Sequence, residues 1–140
     1  MDTMNFHVSI KALVFDEHQH LLLVQEDSGV WDLPGGRMEH GESFHAALLR
    51  ECQEEMGVCG DILDTTPFLA WSIQHSDGFW KAILCFRMHL PLTTLQERWT
   101  PSSECRAYAF FAPHALATLN LAQQMAPLAQ HWQAAMRPQA

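Results

Sequence analysis

An α+β fold, with helices on either side of a mixed β-sheet in an α/β/α sandwich, is what this sequence predicts, and three observations carry the prediction. Apolar patterning over the 140 residues reads as β-β-α-β-β-β-α, an order that suits helices packed on a mixed sheet. No repeat, linker or shift in composition divides the chain, so residues 1–140 read as one domain. The third observation is a glycine pair, Gly35-Gly36, set ahead of a short helix that carries Glu51, Glu54 and Glu55 in its last turns.

The elements follow in order. Phe6 to Phe15 is rich in Val, Ile, Leu and Phe and reads as a strand. Asp16 to His20 is polar enough for a turn, and Leu21 to Gln25 reads as the partner strand of a hairpin. Asp27-Ser28-Gly29 breaks it, and Trp31-Asp-Leu-Pro-Gly-Gly36 reads as a loop, because Pro and paired Gly oppose regular structure. Ser43 is placed as a helix N-cap, with Glu42 complementing the dipole. The helix should stop at Met56, since Gly57 suits the left-handed C-terminal position. Its apolar stripe is Phe44, Ala47, Leu48 and Cys52. Residues 62–73 and 79–90 read as two long strands around a His75-Ser-Asp-Gly78 turn. Pro91 to Ser103 reads as irregular, and Cys105 to Phe111 as a short final strand. A helical stripe of Leu121, Met125, Leu128, Trp132 and Met136 closes the chain, with Pro127 marking either a helix start near Met125 or a kink.

Composition narrows the function. An apolar fraction of 48% with 17% charged residues reads as globular. Eight basic against sixteen acidic residues, a formal charge of −8, argue against a DNA duplex or a membrane surface as partner. No signal-like stretch opens the chain and no apolar run is long enough to span a bilayer. Cys52, Cys59, Cys85 and Cys105 are widely spaced in apolar company and read as reduced, buried thiols, which points to the cytoplasm. The nine histidines show no zinc-site spacing.

Helical neighbours lie three and four residues apart, so Glu51 shares a face with Glu54 and Glu55. These acids sit at the negative end of the helix dipole, where stability alone would place bases. A hard divalent cation wants such oxygen ligands. Gly36, Glu42, Arg50, Glu51, Glu54, Glu55 and Gly57, in that spacing, resemble the Nudix box of the MutT-like Nudix hydrolases at all seven fixed positions, within 23 residues. Chance agreement over the chain is about 10⁻⁶ at average residue usage. One departure is Cys52, where the family places a larger aliphatic residue.

The resemblance implies a Nudix fold and a Mg²⁺-dependent pyrophosphohydrolase, with Mn²⁺ as a substitute ion. Glu51 and Glu55 would be the principal ligands and Glu54 a further one, direct or through water. The carbonyl of Gly36, or of its neighbour Gly35, would complete the metal site and let substrate approach the backbone closely. Arg50 would orient Glu51 or Glu42 through a salt bridge. Glu104, just before the last strand, sits where many relatives place an additional metal-contacting acid, and Glu97 is a weaker candidate for the general base. Among the aromatics, Trp31 has the best claim to touch substrate because it immediately precedes the glycine loop. Asn120, His40 and His45 are lesser candidates.

The substrate expected is a nucleoside diphosphate linked to another moiety. Position 74 is Gln where ADP-ribose-specific relatives carry proline, and the one tyrosine, Tyr108, does not match dinucleoside polyphosphate hydrolases. Both absences favour a nucleoside triphosphate. The alternatives are a Nudix-fold sensor that binds a nucleotide metabolite without turnover, and a 5′ RNA pyrophosphohydrolase. The first is opposed by the intact acids and by 140 residues leaving no room for a DNA-binding domain; the second by the net charge. A monomer or a homodimer is expected.

Overall fold

Strand β1 (Phe6–Leu13) runs parallel to β7 (Trp80–His89) along its whole length and antiparallel to the short β4 (Gly35–Arg37) on its other edge. The far edge of β7 carries β5 (Asp61–Ile62) and β6 (Leu69–Gln74), both antiparallel. A second, three-stranded sheet sets β2 (Leu21–Gln25) between β3 (Trp31–Asp32) and β8 (Ala107–Phe111). The computed structural model describes residues 5–135.

Most of β1 and nearly all of β2 are buried on both faces, which is why they read as continuous apolar runs. Ile10, Ala12, Leu22 and Val24 pack on one side with Ala47, Leu48, Cys52 and Met56 of α1 (Phe44–Met56), and with Leu95 of α2 (Leu92–Arg98). Leu13, Leu21, Leu23 and Ile83 pack on the other side, under Leu128 and Trp132 of α3 (Ala126–Ala135) and Leu116 of a 3-10 turn at Pro113–Thr118. Helical segments thus cover both sides of a mixed sheet system, as expected for the α/β/α sandwich. All four cysteines are free.

Several boundaries differ from expectation for identifiable reasons. Residues 6–15 and 21–25 do not form a paired hairpin. Asp16 does make the turn, accepting from the His18 and His20 amides at 2.9 and 2.8 Å, but only a Phe15–Leu21 bridge joins the strands. Both edges of β1 are already taken by β4 and β7, so β2 finds its partners in the other sheet. Residues 62–73 are two strands, because Asp64-Thr-Thr-Pro67 loops out between amide bonds from Leu63 to Arg87 and from Phe68 to Cys85. Asp64 then accepts from the Arg87 guanidinium at 2.6 Å, bracing the excursion. The stretch 91–103 contains α2, which follows Pro91 and buries only Leu95, too little apolar content to stand out in the sequence.

At the C-terminal end, Leu121 pairs with Trp31 in a bridge rather than joining a helix. Pro127 sits in the first turn of α3, so the helix starts there without a kink. Met136 lies outside the described residues. Phe44 is 39% exposed rather than buried, with its ring tilted against Phe86.

Candidate active site

α1 begins and ends as its sequence dictates. The Ser43 hydroxyl accepts from the Ala46 amide at 3.1 Å, and Gly57 takes the left-handed conformation at φ 74° with its N–H on the Gln53 carbonyl. Between these caps the helix presents two different acidic surfaces.

The first is organised by Arg50. Its Nε and Nη2 donate to both oxygens of Glu42 at 2.6 and 2.9 Å, Nη1 donates to Glu51 at 2.9 Å and Glu54 at 3.2 Å, and Nη2 also reaches the Arg37 carbonyl at 3.1 Å. Sequence alone left Glu42 and Glu51 as alternative partners; the guanidinium fork holds both. The hydrogen bonds from Arg50, with the Glu39 amide second, pull the Glu42 carboxyl down to about 2. Glu54 is exposed, shares Arg50 Nη1 with Glu51, and is not among the acids that converge below.

The second surface is a gap. One carboxylate oxygen each from Glu51, Glu55 and Glu104 lies within 4.8 Å of the others. Glu55 is 7% exposed, its Oε1 has no hydrogen-bond partner, and burial pushes its carboxyl up to about 8 against the pull of the Lys11 charge. A buried carboxylate oxygen without a donor is costly and rare. A divalent cation at the centre of the trio would supply what Glu55 lacks, so these residues fit a Mg²⁺ or Mn²⁺ ion. Glu104 reaches the trio through Ser102, whose hydroxyl donates to the Glu55 carbonyl at 3.0 Å and accepts from the Glu104 amide at 3.2 Å. Glu97, on α2, is exposed and outside the trio.

The glycine pair is strand rather than loop, and its geometry explains both residues. A Cβ on Gly35, whose φ is +124°, would fall 2.1 Å from the Ile10 carbonyl oxygen; one on Gly36 would fall 2.5 Å from Glu51 Oε2. Gly36 stands opposite Ile10 in the ladder, between amide bonds from Met38 to Val8 and from Ala12 to Pro34. The antiparallel alternation turns Gly36's peptide groups toward Ile10 and Gly35's away from β1. Gly35's carbonyl accepts from Lys11 Nζ at 3.2 Å.

A cavity of about 600 Å³ opens over the trio, lined also by Ser9, Lys11, Asp32, Gly35, Gly36, Arg37, Lys81 and Gln124. Lys11, Asp32 and Gln124 were not singled out by sequence. Lys11 is a charged residue in the apolar half of a strand, and that mismatch is the signal that could have found it. Burial alone would lower its pKa, but the charges of Asp32 and Glu55 and the Asp32 hydrogen bond raise it above the usual value.

Trp31 does not line this cavity. Successive strand residues point to opposite faces, so while Asp32 faces the cavity, Trp31 packs edge-on against Phe111 at 4.9 Å. Trp71 donates to the Gln124 carbonyl, Phe68 lies under Arg87, and Phe79 stacks on His7. Asn120 is engaged through its backbone carbonyl by the Trp31 amide, and His45 bonds the Asp64 carbonyl at 2.8 Å. His40 is exposed beside a separate shallow pocket.

Comparison with known proteins bears on the family and the fold. The NUDIX domain family model matches residues 5–132. An 8-oxo-dGTP diphosphatase of Proteus vulgaris is 35% identical over 63 residues, covering 41% of this chain and 55% of its own. A putative 8-oxo-dGTP diphosphatase of Bacillus subtilis is 50% identical over 47 residues, 33% of this chain and 32% of its own. The chain thus spans about half or less of the curated relatives it matches. The crystal structure of a MutT protein from Methanosarcina mazei superposes with a TM-score of 0.71 at 19% identity, over 99% of this chain and 100% of that one. Among the described residues no helix is long and apolar enough to cross a membrane.

Proposed function

The chain belongs to the Nudix family, and from that premise we propose that it hydrolyses a phosphoanhydride bond in a nucleoside diphosphate linked to another moiety, with a nucleoside triphosphate as the leading substrate and Mg²⁺ as cofactor. The observation that carries the reading is the convergence of Glu51, Glu55 and Glu104 beside an unpartnered, buried Glu55 oxygen at the floor of a cavity. A divalent ion bound there neutralises phosphate oxygens and lowers the pKa of bound water.

The chain's own residues do the rest. Arg50 holds Glu51 by one oxygen and leaves the other in the space a Gly36 side chain would take, so Glu51 is oriented before any ligand arrives. Glu104 comes from a loop tied to α1 through Ser102, which keeps three acids from two elements in register. The carbonyl best placed to join them is Gly35's rather than Gly36's, because the ladder commits Gly36 to Ile10. Glu54 contributes charge at the site's outer side and steadies Arg50. Arg37 and Lys81 add positive charge to the cavity in an otherwise acidic chain, which favours a polyphosphate over a neutral ligand. The two 8-oxo-dGTP diphosphatase relatives support a nucleoside triphosphate as the first substrate to try.

The test is phosphate or pyrophosphate release from a nucleotide panel with Mg²⁺, for wild type and Glu55→Gln. Hydrolysis that requires metal and is lost in the variant supports the proposal. Robust activity surviving both the substitution and metal removal sinks it.

A further inference from the structure

Lys11 is the sole charged residue on β1, and it stands between Ile10 and Ala12, both fully buried. It is itself only 5% exposed. Its ammonium group has three donors, and each finds an acceptor at 3.2 Å: Asp32 Oδ2, the Leu33 carbonyl and the Gly35 carbonyl. All three acceptors belong to one short segment, the link from β3 into the glycine pair. Asp32 is held in turn by the Leu33 amide at 2.7 Å and by Gln124 Nε2 at 2.6 Å.

A buried ion pair is a poor source of stability, and a hydrophobic residue at position 11 would suit the strand. What the ammonium supplies is direction. It draws Asp32, Leu33 and Gly35 to one point, and the next residue, Gly36, then lies against Glu51, where a Cβ would fall 2.5 Å from Oε2 and push the carboxylate aside.

We infer that Lys11 is a positioning residue for the proposed hydrolysis: by gathering the 32–35 segment it sets the glycine pair against Glu51, and so fixes where the Glu51 carboxylate stands beside Glu55 and Glu104. Its donors are fully used, so it acts through the segment and carries no proton to substrate. The inference rests on the metal-dependent reading of the site, but Mn²⁺ binding measures it without turnover.

The experiment compares wild type, Lys11→Met and the double variant Lys11→Met/Asp32→Asn, which removes the unpaired buried charge while keeping an amide for Leu33 and Gln124. Thermal midpoint, Mn²⁺ affinity by electron paramagnetic resonance, and kcat and KM are measured for each. Lys11→Met should weaken Mn²⁺ binding and lower kcat by about 10- to 100-fold, as loss of an outer positioning contact does at metal sites, with KM within about threefold of wild type. The double variant should recover the thermal midpoint while its Mn²⁺ affinity and kcat stay low. Recovery of Mn²⁺ affinity and kcat together with the midpoint would overturn the inference and make Lys11 a stability residue only. Unchanged Mn²⁺ affinity in Lys11→Met would overturn it as well. Wild type that binds Mn²⁺ yet hydrolyses nothing defeats the proposed function alone, since the affinity arm still decides the role of Lys11; wild type that binds no Mn²⁺ defeats both.

Discussion

Glu54 and Glu55 are adjacent in sequence and belong to opposite halves of the site. Glu54 lies on the side of α1 where Arg50 engages Glu42, Glu51 and Glu54 at once, a cluster whose charges are paired within the protein. Glu55 faces inward, where one oxygen has no partner and burial holds the carboxyl at about 8. The same residue type on the same helix is thus a brace on one side and an unfilled requirement on the other. Satisfied charges hold geometry, and unsatisfied ones mark where a ligand belongs.

Glu55→Gln should separate the halves most sharply. Loss of a metal ligand is expected to lower kcat by about 10²- to 10³-fold, a scale set by losing one group that stabilises developing charge. The same substitution should stabilise the metal-free protein. A carboxyl held near 8 when folded, against an ordinary 4.5, makes the folded state keep a proton that the unfolded state releases. The resulting cost is absent below about pH 4.5, grows as pH rises, and is complete above about pH 8. Denaturant unfolding in chelator at pH 8 should therefore find Glu55→Gln more stable by about 1–3 kcal/mol, with the gain vanishing by about pH 4. A destabilised variant would place Glu55 with the braces.

Arg50→Lys tests the satisfied half. An ammonium keeps the charge but loses the fork that grips Glu42 and Glu51 together, so kcat should fall by about 10- to 100-fold while circular dichroism stays unchanged. Activity near wild type would mean that charge alone suffices.

Glu42→Gln should act more mildly on turnover, by about 3- to 10-fold, because Arg50 retains Glu51 and Glu54. Its signature is the pH profile. A carboxyl drawn down to about 2 contributes stability that is present above the unfolded value near 4.5 and lost as pH falls toward 2. Thermal midpoints between pH 5 and 2.5 should drop more steeply for wild type than for Glu42→Gln; parallel curves would contradict the pairing.

The smallest effect on activity is expected far from the site. Arg87 grips Asp64 much as Arg50 grips Glu42, yet it braces only the excursion between β5 and β6. Asp64→Asn should lower the thermal midpoint slightly and leave kcat alone, measured under saturating Mg²⁺. A clear kcat loss would show that this edge communicates with the cavity.

Legibility in the sequence divided along similar lines. Ser43, Gly57 and the spacing of Glu51 and Glu55 are local signals, and the structure keeps them where the helix periodicity puts them. Glu104 was legible as a candidate acid, but its approach to α1 depends on Ser102 bonding a carbonyl 47 residues away in sequence. Lys11 and Asp32 stayed hidden because their meaning lies in a contact between separate strands. Trp31 misled because adjacency to a motif says nothing about which face of a strand a side chain takes. The split of 62–73 and the failed hairpin share one cause: strand partners are decided by which edges remain free, and no local window records that.

The central claim is that Glu51, Glu55 and Glu104 hold a divalent ion, and that Glu42 and Glu54 around Arg50 do not. Anomalous diffraction from crystals soaked in Mn²⁺ tests it directly. The account predicts a peak about 2.1 Å from an oxygen of each of the three glutamates, as hard-cation coordination requires. A peak lying only among Glu39, Glu42 and Glu54, or none at the trio at saturating Mn²⁺, would contradict it.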